Sequence, residues 1–87
     1  MLFSVRNEIE NPNVSEAINQ LETLARRGYF SIPTYDFNVE YDKDGNQVWE
    51  CDCHIKEYKE HYTHKSSKKR EAKKLAAFKM LQFIITS

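Results

Sequence analysis

The chain of 87 residues has only two cysteines, two glycines and two prolines, and it contains no long apolar run. Cys51 and Cys53 are two positions apart and cannot form the disulfide framework of a small secreted domain, which favours a reducing compartment. No segment approaches the ~20 apolar residues of a membrane span, and the N-terminal residues lack the apolar stretch of a signal peptide. We therefore expect a soluble domain of the cytoplasm, with the nucleus as the alternative.

A net charge is also absent, because 13 Lys/Arg are balanced by 13 Asp/Glu. The two signs are nevertheless distributed unevenly along the chain. Residues 65–74 hold six Lys/Arg and one Glu, which leaves seven basic and twelve acidic groups elsewhere. Such a chain does not bind polyanions indiscriminately, but it concentrates its positive charge at one place.

The basic segment continues directly into an amphipathic helical pattern. Ser66 or Ser67 is a suitable N-cap for this helix. Apolar residues then recur at helical spacing and predict a buried stripe made of Ala72, Leu75, Ala76, Met80, Leu81 and Phe83. The cations therefore lie at a helix start, where the macrodipole and unpaired N–H groups favour anions. This arrangement predicts phosphate binding, with a merely solvated charged face as the alternative.

An earlier helix is predicted over residues 14–27. Apolar residues recur there at helical spacing, and Gly28 supplies the C-terminal stop. Asn13 and Glu16 have the spacing of a capping box. We accordingly assign residues 1–13 to an N-terminal tail.

Three strands are predicted between the two helices. Residues 35–41 alternate apolar and polar side chains, and the turn over 42–46 contains Asp-Gly, so a hairpin follows. A weaker third strand is predicted over 58–63. The second strand places four residues on its apolar face, namely Trp49, Cys51, Cys53 and Ile55. The prediction is an α+β fold of order α-β-β-β-α over residues 14–85, in which two helices pack on one face of a three-stranded antiparallel sheet.

The terminal helix carries the motif of a known family. It contains Ala72-Lys73-Lys74-Leu75-Ala76-Ala77, preceded by Lys68-Lys69-Arg70, and the first strand opens with Pro33-Thr34-Tyr35. With the order α-β-β-β-α, the chain resembles a double-stranded-RNA-binding domain over about residues 14–84. Within that family it is most similar to the C-terminal domain of bacterial ribonuclease III.

The resemblance implies a non-catalytic module that binds A-form RNA over about 16 base pairs, largely by shape. In this family the start of the second helix holds phosphates across the major groove, and the first helix and first hairpin loop contact minor grooves. The implied phosphate contacts are Lys65, Lys68, Lys69, Arg70 and Lys73. The implied minor-groove contacts are Asn19, Glu22, Thr23, Lys43 and Asn46.

Two segments depart from the family pattern. Asp42-Lys43-Asp44-Gly45 replaces the Gly-Pro-x-His of the hairpin loop, and Tyr62-Thr63-His64 replaces a Gly-x-Gly before the basic helix. These departures keep an alternative open, in which the same fold binds protein or forms a homodimer with little or no RNA binding. The candidates for a dimer contact are the third strand and the N-terminal tail, where Leu2, Phe3 and Val5 are apolar.

No metal, cofactor, small-molecule substrate or catalytic activity is expected. The candidate ligands of a structural zinc site are Cys51, Cys53, His54, His61 and His64, but such a site needs four converging ligands. Strand alternation turns the cysteines inward and His54 outward, so buried thiols are the favoured interpretation. The cluster of carboxylates that ribonuclease III needs to hold magnesium has no counterpart in this sequence.

Overall fold

The fold is described from a computed structural model that covers residue 9 and residues 11–86. Its elements in chain order are α1 (Ala17–Arg26), β1 (Thr34–Tyr41), β2 (Gln47–His54), β3 (His61–Ser66) and α2 (Lys69–Thr86). The strands form one antiparallel sheet in the order β1-β2-β3. The predicted α-β-β-β-α class is confirmed. Over the residues covered, none of the helices combines the length and the apolar character that crossing a membrane requires.

The inner face of the sheet carries the core. Cys51 and Cys53 of β2 and Ile55, directly after its end, are fully buried, as the alternation of this segment predicts. Helix α2 lies across β2 and β3, and α1 packs beside α2. The buried helical residues are Ala17, Leu21 and Leu24 of α1 and Ala72, Ala76, Ala77, Met80, Leu81 and Ile84 of α2. Leu75 and Phe83 were expected in this stripe but are only half-buried.

The predicted helix over 14–27 is shorter in the structure and begins at Ala17. Asn13 forms one of the two hydrogen bonds of the predicted capping box, because its Oδ1 accepts from the backbone N–H of Glu16 at 2.9 Å. The N-cap of α1 is Glu16, however, which has no side-chain cap hydrogen bond. The chain then makes a turn over 14–16 before regular helical hydrogen bonding starts. The side chain of Gln20 fixes the preceding segment, since its Nε2 donates to the carbonyl of Asn11 at 2.9 Å.

Gly28 terminates α1 as predicted, two residues after the last helical residue, Arg26. Gly28 has a φ of +90°, a conformation that favours glycine. Its N–H donates to the carbonyl of Ala25 at 3.0 Å, and the N–H of Tyr29 donates to the carbonyl of Leu24 at 3.2 Å. This pair of hydrogen bonds is a Schellman motif, which satisfies carbonyls at the end of the helix.

The predicted position of the third strand is wrong. Strand β3 covers His61–Ser66 rather than 58–63, because the N–H of Tyr58 closes a turn on the carbonyl of Ile55 at 2.9 Å. Ser66 pairs with Trp49 across the ladder, so the strand runs through Lys65. Helix α2 consequently starts at Lys69, after the two serines rather than at them.

Both cysteine thiols are free and buried. Burial raises the pKa of Cys51 to about 11 and that of Cys53 to about 12. Thiolate is the reactive form of cysteine, so both groups are held in their unreactive form at neutral pH.

We expect almost no reaction of the two thiols of the folded protein with a chromogenic thiol reagent such as DTNB on the timescale of seconds. The same protein in guanidinium chloride should react at once at both cysteines. Fast labelling of either thiol under native conditions would contradict their placement in the core.

A carboxylate clamp joins two loops at one end of the sheet. The Glu57 carboxylate accepts hydrogen bonds from the backbone N–H of Ser31 at 2.9 Å and from its hydroxyl at 2.7 Å. These hydrogen bonds, from the N–H first and the hydroxyl second, lower the pKa of Glu57. The clamp ties the connector between α1 and β1 to the turn between β2 and β3.

Glu57→Ala should lower the Tm at neutral pH, and the difference from wild type should shrink as the pH falls below about 4. The sign follows from the lowered pKa, because the ionised form is the one that the folded state favours. Glu60→Ala is the matched control, since Glu60 is an exposed carboxylate three residues away. Thermal unfolding followed by circular dichroism between pH 3 and pH 7 tests this, and a pH-independent difference would count against the clamp.

Candidate nucleic-acid interface

An open cleft of about 530 Å³ separates the start of α1 from the start of α2. Its α2 wall consists of four cationic residues, its opposite wall of one residue of the turn before α1 and two residues of α1, and its floor of one aromatic ring of β1. The lining residues in that order are Lys69, Arg70, Lys73, Lys74, Ser15, Ile18, Asn19 and Phe37. No carboxylate is among them, so the cleft is strongly positive.

Helical geometry explains why the four cations converge. Lys69 and Lys73 are four residues apart, as are Arg70 and Lys74, so each pair is stacked on one face of α2. All four lie in the first turns of an 18-residue helix, where the macrodipole adds positive potential. Ser66 contributes at the entrance to the helix, because its Oγ accepts a hydrogen bond from the N–H of Lys68 at 3.2 Å.

Two of these lysines rest on aromatic rings of the sheet. The Nζ of Lys69 lies 4.6 Å from the ring centroid of Phe37 and 5.2 Å from that of Trp49. The Nζ of Lys73 lies 4.7 Å from the ring centroid of Tyr35. Phe37 and Trp49 are themselves packed edge to face, with their centroids 6.4 Å apart. The inner face of the sheet therefore supports the cleft as well as the core.

The structure places the three predicted α1 contacts differently. Asn19 lines the cleft and is exposed. Glu22 and Thr23 lie one turn further along α1, outside the cleft lining. Glu22 forms an ion pair with Arg26, and the hydroxyl of Thr23 donates to the carbonyl of Asn19 at 2.9 Å. The groove contacts proposed for these residues stay predictions.

Lys65 lies away from the other predicted phosphate contacts. It belongs to β3, on the outer face of the sheet, where its Nζ is 2.9 Å from Oε1 of Glu40. This hydrogen bond, together with the charge of Glu40, raises the pKa of Lys65. Lys68 is exposed immediately before α2, and its carbonyl accepts from the N–H of Ala72 at 3.0 Å. Lys69, Arg70 and Lys73 are thus brought together, Lys68 is adjacent to them, and Lys65 faces elsewhere.

The tip of the first hairpin is organised by Asp42. Its Oδ1 accepts hydrogen bonds from the N–H groups of Asp44 and Asn46, both at 2.9 Å. Gly45 completes the turn with a φ of +82°, and its N–H donates to the carbonyl of Asp42 at 2.9 Å. The charge of Asp42 is therefore directed into the loop, while Lys43 and Asn46 are exposed at the tip.

The hairpin tip and the cleft are separate parts of the surface. Lys43 follows Phe37 by six positions, along β1 and into the turn, which corresponds to roughly 20 Å at the rise of a β-strand. The structure therefore brings Asn19 together with the α2 cations, and it holds Lys43 and Asn46 at a distance from them.

Sequence reasoning missed several residues of the cleft. Lys74 lines the cleft, although only its neighbour Lys73 was predicted to contact phosphate. The four-residue spacing from Arg70 to Lys74 was a sufficient signal for its inclusion. Ser15 and Ile18 could not be found in this way, because their participation depends on how α1 packs against α2.

The candidate zinc ligands do not converge. Within residue 9 and residues 11–86, no group of three or more His, Cys, Asp or Glu side chains is placed to hold a metal ion. His54 and His61 stack with ring centroids 3.9 Å apart on the outer sheet face, where Nδ1 of His61 is 2.8 Å from Oδ2 of Asp52. His64 pairs with Cys51 across the ladder on the opposite, inner face.

Comparisons with known proteins agree with this geometry. The sequence profile of the family described as Double-stranded RNA binding motif matches residues 17–84. The chain is 56% identical over 85 residues to Ribonuclease 3 of Roseburia hominis, covering 98% of this chain and 24% of that protein. It is 26% identical over 80 residues to Ribonuclease 3 of Treponema succinifaciens, covering 92% of this chain and 21% of that protein.

The chain therefore spans between a fifth and a quarter of the length of these relatives, and the resemblance to a ribonuclease III domain is confirmed. The family match includes all five elements of the fold and the basic start of α2. This chain belongs to the double-stranded RNA binding motif family.

Proposed function

We propose that this chain binds double-stranded RNA as a non-catalytic module, by the shape of the duplex and by its phosphates and 2′-hydroxyls. The observation that carries the proposal is the cleft between α1 and α2, where four cations and no carboxylate line the surface of a net-neutral chain. Phosphate is the anionic group that a duplex presents at regular spacing, and helix starts with free N–H groups favour it.

Different parts of the surface would contact different parts of the duplex. Lys69, Arg70 and Lys73, with Lys68 beside them, would hold phosphates on both sides of the major groove. Asn19 on α1 lies beside these cations and has an amide that suits a ribose hydroxyl or base edge in the adjoining minor groove. Lys43 and Asn46, roughly 20 Å along the hairpin, would meet the next minor groove.

Catalysis would require other parts of a longer protein. The relatives named Ribonuclease 3 are about four times as long as this chain. Several carboxylates of this chain already have side-chain partners: Glu22 and Glu40 form ion pairs with Arg26 and Lys65, and Asp52 contacts the ring of His61. We therefore propose that the chain recognises RNA and does not cleave it.

Binding to a duplex of about 20 base pairs should weaken steeply with salt. About three to four phosphate contacts give a slope of about −3 for log K against log salt concentration. Lys69→Ala/Lys73→Ala should lower the affinity and reduce the size of this slope by about two. Fluorescence anisotropy at several salt concentrations measures both quantities.

Lys56→Ala/Lys59→Ala provides the matched control. Both residues are exposed in the turn between β2 and β3, and this variant loses the same charge as the cleft variant. It should retain nearly all of the affinity and the slope. Equal effects of the two variants, or equal binding of a DNA duplex of the same sequence, would contradict the proposed site.

A protein-binding or self-associating module on the same fold is the second candidate. It is favoured by two large apolar side chains of the edge strand β1, since Val39 is 42% exposed and Tyr41 is 69% exposed. The tail residues Leu2, Phe3 and Val5, which were also candidates, lie outside the described residues.

Self-association predicts a dimer in sedimentation equilibrium at ~100 μM protein, weakened by Val39→Ser/Tyr41→Ser. Exposed apolar patches of this kind mark contacts between proteins when they are large enough. A monomer at that concentration, with RNA binding intact, would leave RNA as the supported partner.

A further inference from the structure

The four cations of the cleft are not equivalent. Lys69 and Lys73 lie over aromatic rings, at 4.6 Å from Phe37 and 4.7 Å from Tyr35. Arg70 is exposed on the same helix and, among the described residues, does not lie over a ring. The difference follows from helix phase, since residues 69 and 73 face the sheet and residue 70 is turned about 100° away.

We infer that the aromatic side chains of the sheet position Lys69 and Lys73 for phosphate, so that these two lysines are held in their binding arrangement before the ligand arrives. The inference rests on the proposed function and specifies how its site works. Phe37, Trp49 and Tyr35 would be positioning residues, because they act through the lysines rather than by touching the ligand.

The energetic argument concerns side-chain freedom. A lysine has four rotatable bonds in its stem, and immobilising it costs conformational entropy. An ammonium group over a ring face is attracted by the negative face of the ring. The ring contact therefore offsets part of the ordering cost in the free protein, and correspondingly less is lost when phosphate is bound.

Each ring contacts only one side of the ammonium group that lies over it. A lysine has three N–H donors, and a ring face covers only one side of it. Lys69 and Lys73 both line the open cleft, so the side opposite the rings faces the space where a ligand would lie. Ring and phosphate can thus contact the same ammonium group at once.

The chemistry of the rings suits this role. The hydroxyl of Tyr35 is buried, and burial above all, followed by the neighbouring Cys53, raises the pKa of this phenol. Tyr35 therefore stays neutral at any physiological pH. The ring of Phe37 has no polar atom that could compete with phosphate for the ammonium of Lys69, and Trp49 packs against it edge to face.

Phe37→Leu tests the inference, because it removes the ring face but keeps an apolar side chain at a half-buried position. We expect Kd for a 20-base-pair RNA duplex to rise about two- to five-fold, which is the equivalent of 0.5–1 kcal/mol. The salt slope should stay unchanged, because the number of cations at the site is unchanged. Phe37→Tyr restores a ring and should restore the affinity.

A double-mutant cycle separates positioning from a general loss of packing. In a Lys69→Gln background, Phe37→Leu should have almost no further effect on Kd. Phe83→Leu is the matched control, since Phe83 is another half-buried ring, packed against Tyr58 and Tyr62 far from the cleft. In the free protein, the ε-methylene protons of Lys69 should show a ring-current shift in NMR that Phe37→Leu removes.

The outcomes distinguish this inference from the function on which it rests. Failure of the wild-type protein to bind the duplex would overturn the proposed function. Wild-type binding with an unchanged or tighter Kd in Phe37→Leu would overturn only the positioning role, as would an equal effect of Phe37→Leu in the two backgrounds.

Discussion

The packing of α2 on the sheet is the constraint on which both the core and the cleft depend. Ala72 and Ala76 are fully buried at a spacing of four residues, and their small side chains let the helix approach the strands closely. Lys69 and Lys73 precede these alanines by three residues and share the same neighbouring face. The rotation that buries the alanines therefore also places the lysines over the rings of β1 and β2. The proposed phosphate contacts thus depend on the same helix packing that folds the chain.

The distribution of charge follows from the two faces of the sheet. The outer face carries acidic side chains, of which Glu40 is matched locally by Lys65. The cations near the inner face meet aromatic rings instead of carboxylates. A chain with no net charge thus presents a positive cleft at one place and an excess of acidic groups elsewhere, which favours oriented binding over general attraction to polyanions.

Local patterns in the sequence were sufficient for the fold and for part of the site. Alternation identified β1 and β2, and helical spacing identified the buried face of α2. The hydrogen bond from Glu16 to Asn13 and the stop at Gly28 were also predictable, because each depends on residues close in sequence. The cap itself was not, since α1 begins after Glu16. Strand β3 was misplaced because its residues are polar and its register is set by β2, which the local pattern does not contain. For the same reason Lys65 was grouped with the helix, although it points to the opposite face of the sheet.

The internal hydrogen bonding of the hairpin tip fixes the distance between the tip and the cleft. Asp42 closes the tip on itself, so the distance between the tip and the cleft is set by the length of β1 and β2 rather than by a mobile loop. Adding two residues to each strand would keep every side chain on its face but would move the tip by roughly 7 Å. Strand length is therefore an adjustable parameter by which a fold of this kind can be matched to the groove spacing of one helical form of nucleic acid and mismatched to another.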